Sequence, residues 1–356
     1  MDKLDIESFY KGKRVIVTGD TGFKGSWLSL WLHSIGAEVL GYALPPDSDN
    51  SHYSLLKLDD KIKHIDGNIL DFDFLIEIFE KFKPEIVFHL AAQALVRQSY
   101  DDPKKTFETN VSGSVNVLEA IRVTKSVRAL VYVTSDKCYK NNEWIWGYRE
   151  IDELGGYDPY SASKAAAEIV FSSYMDSFFK VKDNFGAASA RAGNVIGGGD
   201  WALNRIIPDF IRSVNENQPL KIRFPNSTRP WQHVLEPLSG YLLLGKRLFE
   251  SPDKFSGSWN FGPEFNSVKS VSTLVETCIE LFGDGEIIYD LNDEKKHEAG
   301  LLHLNCDKAN HQLNWHAVWG FSKSVAHTVN WYKEYYKGGC AVELSLNDII
   351  NYKSNK

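Results

Sequence analysis

Cysteine is scarce and scattered. The four residues, Cys138, Cys278, Cys306 and Cys340, form no C-x-x-C pair. Neither a disulfide framework nor a zinc site is therefore expected, and the thiols are read as reduced, as in a cytoplasmic protein. Positive charge is also short: 40 Lys and Arg against 47 Asp and Glu leave a formal net charge of −7. That balance argues against nucleic acid or an anionic membrane as partner, while leaving room for a local basic pocket around an anionic substrate. No uncharged apolar run reaches the length of about 18 residues that a membrane-spanning helix needs. The opening Met1-Asp2-Lys3-Leu4-Asp5 lacks the apolar stretch of a secretory leader, so none is expected. There is no internal repeat and no low-complexity tract. Of the ten histidines, His89, His233, His297 and His303 show no ligand spacing such as H-x-x-x-H, and no metal is expected. What remains is a globular composition, 43% hydrophobic and 24% charged over 356 residues. That is enough for one large domain or two closely packed ones.

The first motif is a strand, a glycine loop and a helix in succession. Lys13-Arg14-Val15-Ile16-Val17-Thr18 reads as a short buried strand, and the apolar run from Trp27 to Ile35 reads as a helix. Between them lie Gly19, Gly22 and Gly25, in a loop that also holds Thr21, Phe23 and Lys24. In this context the glycines suit a dinucleotide: one for the tight turn, one for the approach of the pyrophosphate, one for close packing of helix on strand. The helix start offers amide donors to the phosphates. The second strand, Glu38 to Tyr42, runs into Ala43-Leu44-Pro45-Pro46 with no acid before Asp47 and no Arg or Lys to receive a 2′-phosphate. The pattern leans to NAD over NADP, with a weak grip on the ribose.

Further strand–helix units follow. Lys63 to Ile69 is a strand end at which Asn68 and Ile69 would flank an adenine or make a plain turn. A helix is expected over 71–82, a strand over 85–90, a helix over 103–123 and a central apolar strand over 129–134. Leu90, the small Ala91 and Ala92, Gln93, and Thr109 on the following helix are placed at the cofactor. Five such units predict an α/β fold with a doubly wound parallel sheet, whose ligands lie beyond the carboxyl ends of the strands.

The fifth strand delivers Ser135, Asp136 and Lys137 to that edge. The chain returns there at Asp158-Pro159-Tyr160, where Asp158 suits an N-cap and Pro159 the first helical turn. Lys164 follows Tyr160 by four residues, on the same helix face. A free tyrosine has a pKa of about 10. A positive neighbour and the helix start favour its phenolate, so Tyr160 is expected to take a proton from a hydroxyl while hydride leaves the same carbon.

The second half changes character. A strand is expected over 185–191, a flexible loop at Gly197-Gly198-Gly199, and helices over 205–214, 271–282 and 321–336. Arg205 and Arg229, if they converge, suit a diphosphate. Asn194 and His233 join them as expected substrate contacts. The division is 1–192 for the dinucleotide-binding part, 193–345 for a smaller mixed substrate-binding part interleaved with it, and 346–356 for a polar tail ending in a mobile stretch.

With these residues in place the chain resembles the extended short-chain dehydrogenase/reductase family, over roughly residues 10–335. The likeness is carried by Thr18-Gly19-x-x-Gly22-x-x-Gly25, His89-Leu90-Ala91-Ala92, Asn110-Val111-x-Gly113, Tyr160-x-x-x-Lys164 and Arg191-x-x-Asn194. Within it the chain looks like the nucleotide-sugar 4,6-dehydratases. Gly41 to Pro46, Thr134 to Tyr139, Gly197 to Trp201 and Arg229 to His233 point to those acting on CDP-sugars.

The resemblance implies a Rossmann fold, bound NAD that is regenerated in each cycle, CDP-glucose or a related nucleotide sugar as substrate, and a homodimer or homotetramer. It implies that Ser135 bonds the sugar 4-hydroxyl, Tyr160 deprotonates it, and Lys164 holds the nicotinamide ribose and lowers the tyrosine pKa. Asp136 would be the acid at the 6-hydroxyl. The commoner dTDP-glucose pattern has Asp-Glu after the Ser/Thr; this chain has Asp136-Lys137. Lys137 is expected as the base at C5 if neutral, or as a stabiliser of the C4–C5 enolate if charged. A nucleotide-sugar 4-epimerase would need only Ser135, Tyr160 and Lys164, and a non-catalytic NAD-binding protein would need none of them.

Overall fold

A computed structural model describes residues 3–289 and 300–355. His297, named above, lies outside them. Strands β1 (Arg14–Thr18), β2 (Glu38–Ala43), β3 (Lys63–Asp66), β4 (Ile86–His89), β5 (Ala129–Val133), β6 (Gly186–Ala192) and β7 (Gly257–Phe261) form one seven-stranded sheet in the order β7-β6-β5-β4-β1-β2-β3. All neighbours are parallel. The order reverses direction between β1 and β4, where a doubly wound sheet opens a crevice for ligands.

Side chains of each strand alternate between two cores. Val15, Val17, Ile86 and Phe88 face one side, packing on helix α1 (Phe23–Ser34). Ile16, Val87 and Leu130 face the other, against α2 (Phe72–Phe82), α3 (Gly113–Val123) and α4 (Pro159–Tyr174). The expected helix over 103–123 is helical throughout, but α3 is preceded by a five-residue π segment, Glu108–Ser112.

The second half adds α5 (Ile206–Asn215), α6 (Leu235–Glu250), α7 (Val271–Phe282), α8 (Phe321–Tyr336) and α9 (Ala341–Ser354). A third core lies among α5, α7 and α8 and the strand Leu220–Ile222, through Phe210, Leu274 and Val329. Two elements of this half return to the large sheet: α6 packs Leu238 and Leu242 into the core of β1 and β4, and β7 pairs with β6. Residue 192 therefore does not separate two independent sheets.

Two expectations are corrected. The tail from 346 was expected to be polar; it continues the helix α9, with Ile349 and Tyr352 buried. Its buried face also carries Ser345 and Asp348, which bond Trp331 and His327 respectively, so its hydrophobic pattern is broken by polar residues that face inward. The Gly197-Gly198-Gly199 loop was expected to be flexible; it is buried, and a Cβ on Gly198 would come 2.0 Å from the Trp331 ring. Its carbonyl accepts the Trp27 indole at 3.0 Å.

Candidate active site

The glycine loop turns at the end of β1. Gly19 has φ +78°, and a Cβ there would sit 2.7 Å from the Ala91 amide nitrogen. A Cβ on Gly25 would strike the Gly19 carbonyl oxygen at 2.0 Å, so only glycine lets α1 pack this tightly against the loop. The N-cap of α1 is Gly22, with no side chain capping the helix. Its first amides are left to a ligand, at the positive end of the helix dipole. This cradle fits a pyrophosphate.

The loop forms one end of a groove of about 1610 Å³. That exceeds the several hundred Å³ of a pocket for one small ligand and suits two side by side. Gly19, Thr21, Gly22, Phe23, Lys24, Gly25, Asn68, Ile69, Leu90, Ala91, Ala92, Thr109, Tyr160 and Lys164 all border it, as does Asp47 beyond the end of β2. So do Ser135, Asp136, Lys137, Asn194, Arg205 and Arg229.

Two expected site residues lie elsewhere. Gln93 is absent from the wall; its amide nitrogen donates to Thr106 Oγ1 at 2.9 Å and to the Leu95 carbonyl at 3.1 Å, bracing the loop after β4. His233 is fully buried beside Trp319 and Trp27. Burial lowers its pKa to about 3, and neutral Nδ1 accepts the Leu235 amide at 3.3 Å. It sits in the short strand Gln232–His233 at the start of α6 and points into the core.

The catalytic candidates come from two elements. After β5 the chain enters a single helical turn, Asp136–Cys138. Ser135 Oγ accepts the Lys137 amide at 3.2 Å and donates to Asp136 Oδ1 at 3.0 Å. Opposite stands α4, capped as expected: Asp158 accepts the Ser161 amide at 2.9 Å, and Pro159 is in the first turn. The Tyr160 amide donates to Ser99 Oγ at 3.2 Å, and Asn110 Nδ2 to Ser163 Oγ at 2.8 Å, which fixes the helix against its neighbours. Lys164 Nζ lies 6.0 Å from the centre of the Tyr160 ring.

Electrostatics departs from expectation at Tyr160. Burial pushes its pKa up to about 12; Ser135 and Arg205 pull it down, against Asp136. Lys164 itself falls to about 8, chiefly by burial, with Glu168 opposing. Lys24 also falls to about 8, by burial and by Arg205 and Lys164, with Asp136 opposing. Asp136 is raised by burial, against Lys137, Ser135, Lys24 and Arg229. Asp136 thus has Lys137, Lys24 and Arg229 acting on it, a cationic surrounding of the kind expected where anionic ligands bind.

Reading the sequence missed Asp200, which holds Arg205 through Nη1 at 2.9 Å. The clue was there: Asp200 ends the glycine run and stands five residues before Arg205. Among the described residues no group of three or more His, Cys, Asp or Glu could hold a metal ion, and no helix is long and apolar enough to cross a membrane.

Comparison with known proteins completes the picture. The family profile of GDP-mannose 4,6 dehydratase matches residues 16–328. The chain is 49% identical over 352 residues to a CDP-glucose 4,6-dehydratase of Salmonella typhimurium, covering 98% of each. Among solved structures, the epimerase Mth375 of Methanothermobacter thermautotrophicus superposes with a TM-score of 0.81 at 24% identity, over 94% of this chain and 96% of that one. A dTDP-glucose 4,6-dehydratase of Bacillus anthracis, solved with NAD, gives 0.77 at 20% identity, over 92% and 98%.

Proposed function

The chain belongs to the GDP-mannose 4,6 dehydratase family, and from that premise we propose that it converts CDP-glucose to CDP-4-keto-6-deoxyglucose and water, with NAD as a bound, recycled cofactor. The observation that carries the reading is the meeting of Asp136 and Lys137 with Ser135, Tyr160 and Lys164 in one groove. An epimerase has work for the last three; the acid and the amine have a task only if water is eliminated.

The uncapped start of α1 and the glycine loop hold the cofactor's diphosphate, and Lys164 its nicotinamide ribose. NAD held there would supply the hydride acceptor for C4 and the hydride donor for C6. Arg205, fixed by Asp200, and Arg229 take the substrate diphosphate, with Asn194 beside them. Ser135 bonds the 4-hydroxyl and orients it toward Tyr160, which takes its proton. The 4-ketone so formed acidifies C5. Lys137, in its neutral form, takes the C5 proton, and Asp136, whose burial favours the protonated carboxyl, gives one to the departing 6-hydroxyl. The enzyme works in the cytoplasm as a homodimer or homotetramer. Exposed Phe107, just before α3, and Ile169 on α4 support a helical interface between copies.

The test is CDP-glucose deuterated at C4, supplied with NAD and followed by mass spectrometry and NMR. Loss of water with deuterium on C6 is the expected result. Deuterium retained at an inverted C4 would make the protein an epimerase. Turnover of a dTDP- or GDP-sugar in place of CDP-glucose would correct the base, and no reaction with any of them would revive the non-catalytic reading.

A further inference from the structure

Asp20 stands between Gly19 and Thr21 in the glycine loop, but it is fully buried and does not border the groove; Gly19, Thr21 and Gly22 do. Its carboxylate crosses β2 at Gly41, where a Cβ would lie 1.9 Å from Oδ2, and reaches β3. There Oδ2 meets Nδ1 of His64 at 2.8 Å. Gly41 pairs with Val17 of β1 on one side and with His64 of β3 on the other, so a glycine in mid-strand opens the gap that this contact spans. The other ring nitrogen, Nε2, faces Asp66 Oδ1 at 3.1 Å. His64 and Asp66 are two residues apart and share one face of β3. Tyr53, from the short helix His52–Leu55, packs its ring 5.2 Å from the imidazole. Asp20 Oδ1 has no hydrogen-bond partner among the described residues, which leaves His64 to hold the carboxylate.

An ionised carboxylate only accepts hydrogen bonds, and both nitrogens of His64 face one, so both carry protons and the ring is an imidazolium. Burial opposes that charge, but Asp20 and Asp66 outweigh it and hold the pKa of His64 above its ordinary value. A buried carboxylate without a counter-charge is costly. One residue from the amides that receive a diphosphate, it would also repel the ligand. We propose that His64 is a positioning residue for the cofactor: through Asp20 it anchors the glycine loop to β3 and cancels a negative charge that would otherwise oppose the cofactor diphosphate. The inference rests on the NAD reading given above. His64 does not itself border the groove, so it acts only through the loop. Its effect falls on NAD affinity and leaves the rate at saturating NAD as it is.

The test is calorimetric titration of NAD into the full chain near neutral pH, beside kcat at saturating NAD and NMR of the histidine ring nitrogens. His64→Leu should weaken NAD binding by about tenfold while kcat at saturating NAD holds. Asp20→Asn removes the buried charge and keeps an oxygen that accepts from Nδ1, so it should bind NAD as the wild-type chain does. Added to Asp20→Asn, His64→Leu should cost less than about threefold. His64→Asn, which keeps one donor, carries the same comparison if His64→Leu fails to fold. In the wild-type chain the His64 ring, identified by its absence from the variant, should show both nitrogens protonated near neutral pH. Four results would each overturn the assignment and leave NAD as the cofactor: unchanged NAD affinity in His64→Leu, an equal loss on top of Asp20→Asn, a fall in kcat at saturating NAD, or a His64 ring with one bare nitrogen. No NAD binding by the wild-type chain defeats the cofactor reading and the inference with it.

Discussion

Helix α4 carries two buried charges four residues apart, Lys164 and Glu168, and their surroundings are opposite. Glu168 is 2% exposed and saturated: Thr134 and Ser189 donate hydroxyls to it, and Arg191 of β6 pairs with it at 2.7 Å. Burial opposes the charge on Arg191, but Glu168 outweighs it and holds the guanidinium charged above its usual range. Tyr139 and the Glu150 carbonyl accept from its Nη1, and Ser258 from its Nη2. Lys164 is 6% exposed and has no such company; its ammonium makes no hydrogen bond or ion pair among the described residues. One turn of one helix thus separates a charge that belongs to the scaffold from one held ready for a ligand. Being buried and charged does not mark a site; being buried, charged and unsaturated does.

The contrast can be broken most severely at Arg191. Arg191→Met leaves Glu168 buried without its cation and should cost about 3–5 kcal/mol of stability, read from chemical denaturation. Replacing both, as Glu168→Leu with Arg191→Met, should recover most of that, because two apolar groups need no partner. A double variant as unstable as the single one would mean that the pair does more than fill its own space.

At the other end of the turn the effect should fall on rate and spare stability. Tyr160→Phe should lower kcat by about 10²–10⁴-fold with an unchanged denaturation midpoint and retained NAD binding. A large loss of stability would move Tyr160 to the scaffold side. Lys137→Ala should permit oxidation at C4 and stop elimination, seen as exchange or loss of a C4 deuterium without water loss. Normal product from that variant would refute the base assignment.

A smaller effect lies in pH. Lys164 drops from the ordinary lysine value to about 8 on folding. Between about pH 8 and 10 the unfolded chain therefore holds more protons than the folded one, and the cofactor-free protein should gain stability as pH rises, by at most about 3 kcal/mol from this residue. Lys164→Met should remove that slope, measured as denaturation midpoints against pH.

The smallest concerns Glu236, fully buried and satisfied by the amides of Val318 and Trp319 and by the Tyr352 hydroxyl at 2.6 Å. Tyr352→Phe removes one of several donors and should cost about 1–2 kcal/mol with no change in kcat.

Much of this was legible because the informative patterns are local. Strand, glycine loop and helix at 13–35, and Asp158-Pro159-Tyr160 with Lys164 one turn on, state their geometry within a dozen residues. What failed was direction. Gln93 stands between Ala92 and Ala94, and His233 two residues after Trp231, all of which border the groove, and sequence proximity does not say which way a side chain in a short strand or a braced loop will point. Helix α6 is buried on nearly every side, but Pro237 in its first turn and glycines at 240 and 245 weaken the helical signal of its sequence. Strand β7 is five residues long without clear alternation. At Tyr160 the failure was one of magnitude: the helix start and a nearby lysine were weighed without the desolvation that outweighs them.

The seventh strand has a consequence for how the protein is made. Strand β6 is complete at residue 192, but its outer neighbour arrives only at Gly257–Phe261 and its covering helix at Leu235–Glu250. On a ribosome adding about 5–20 residues per second, the nascent sheet would wait roughly 3–14 s with β6 as an open edge. That interval is when the growing chain is most exposed to mispairing with its neighbours on a polysome, and when a chaperone that shields strand edges would matter most.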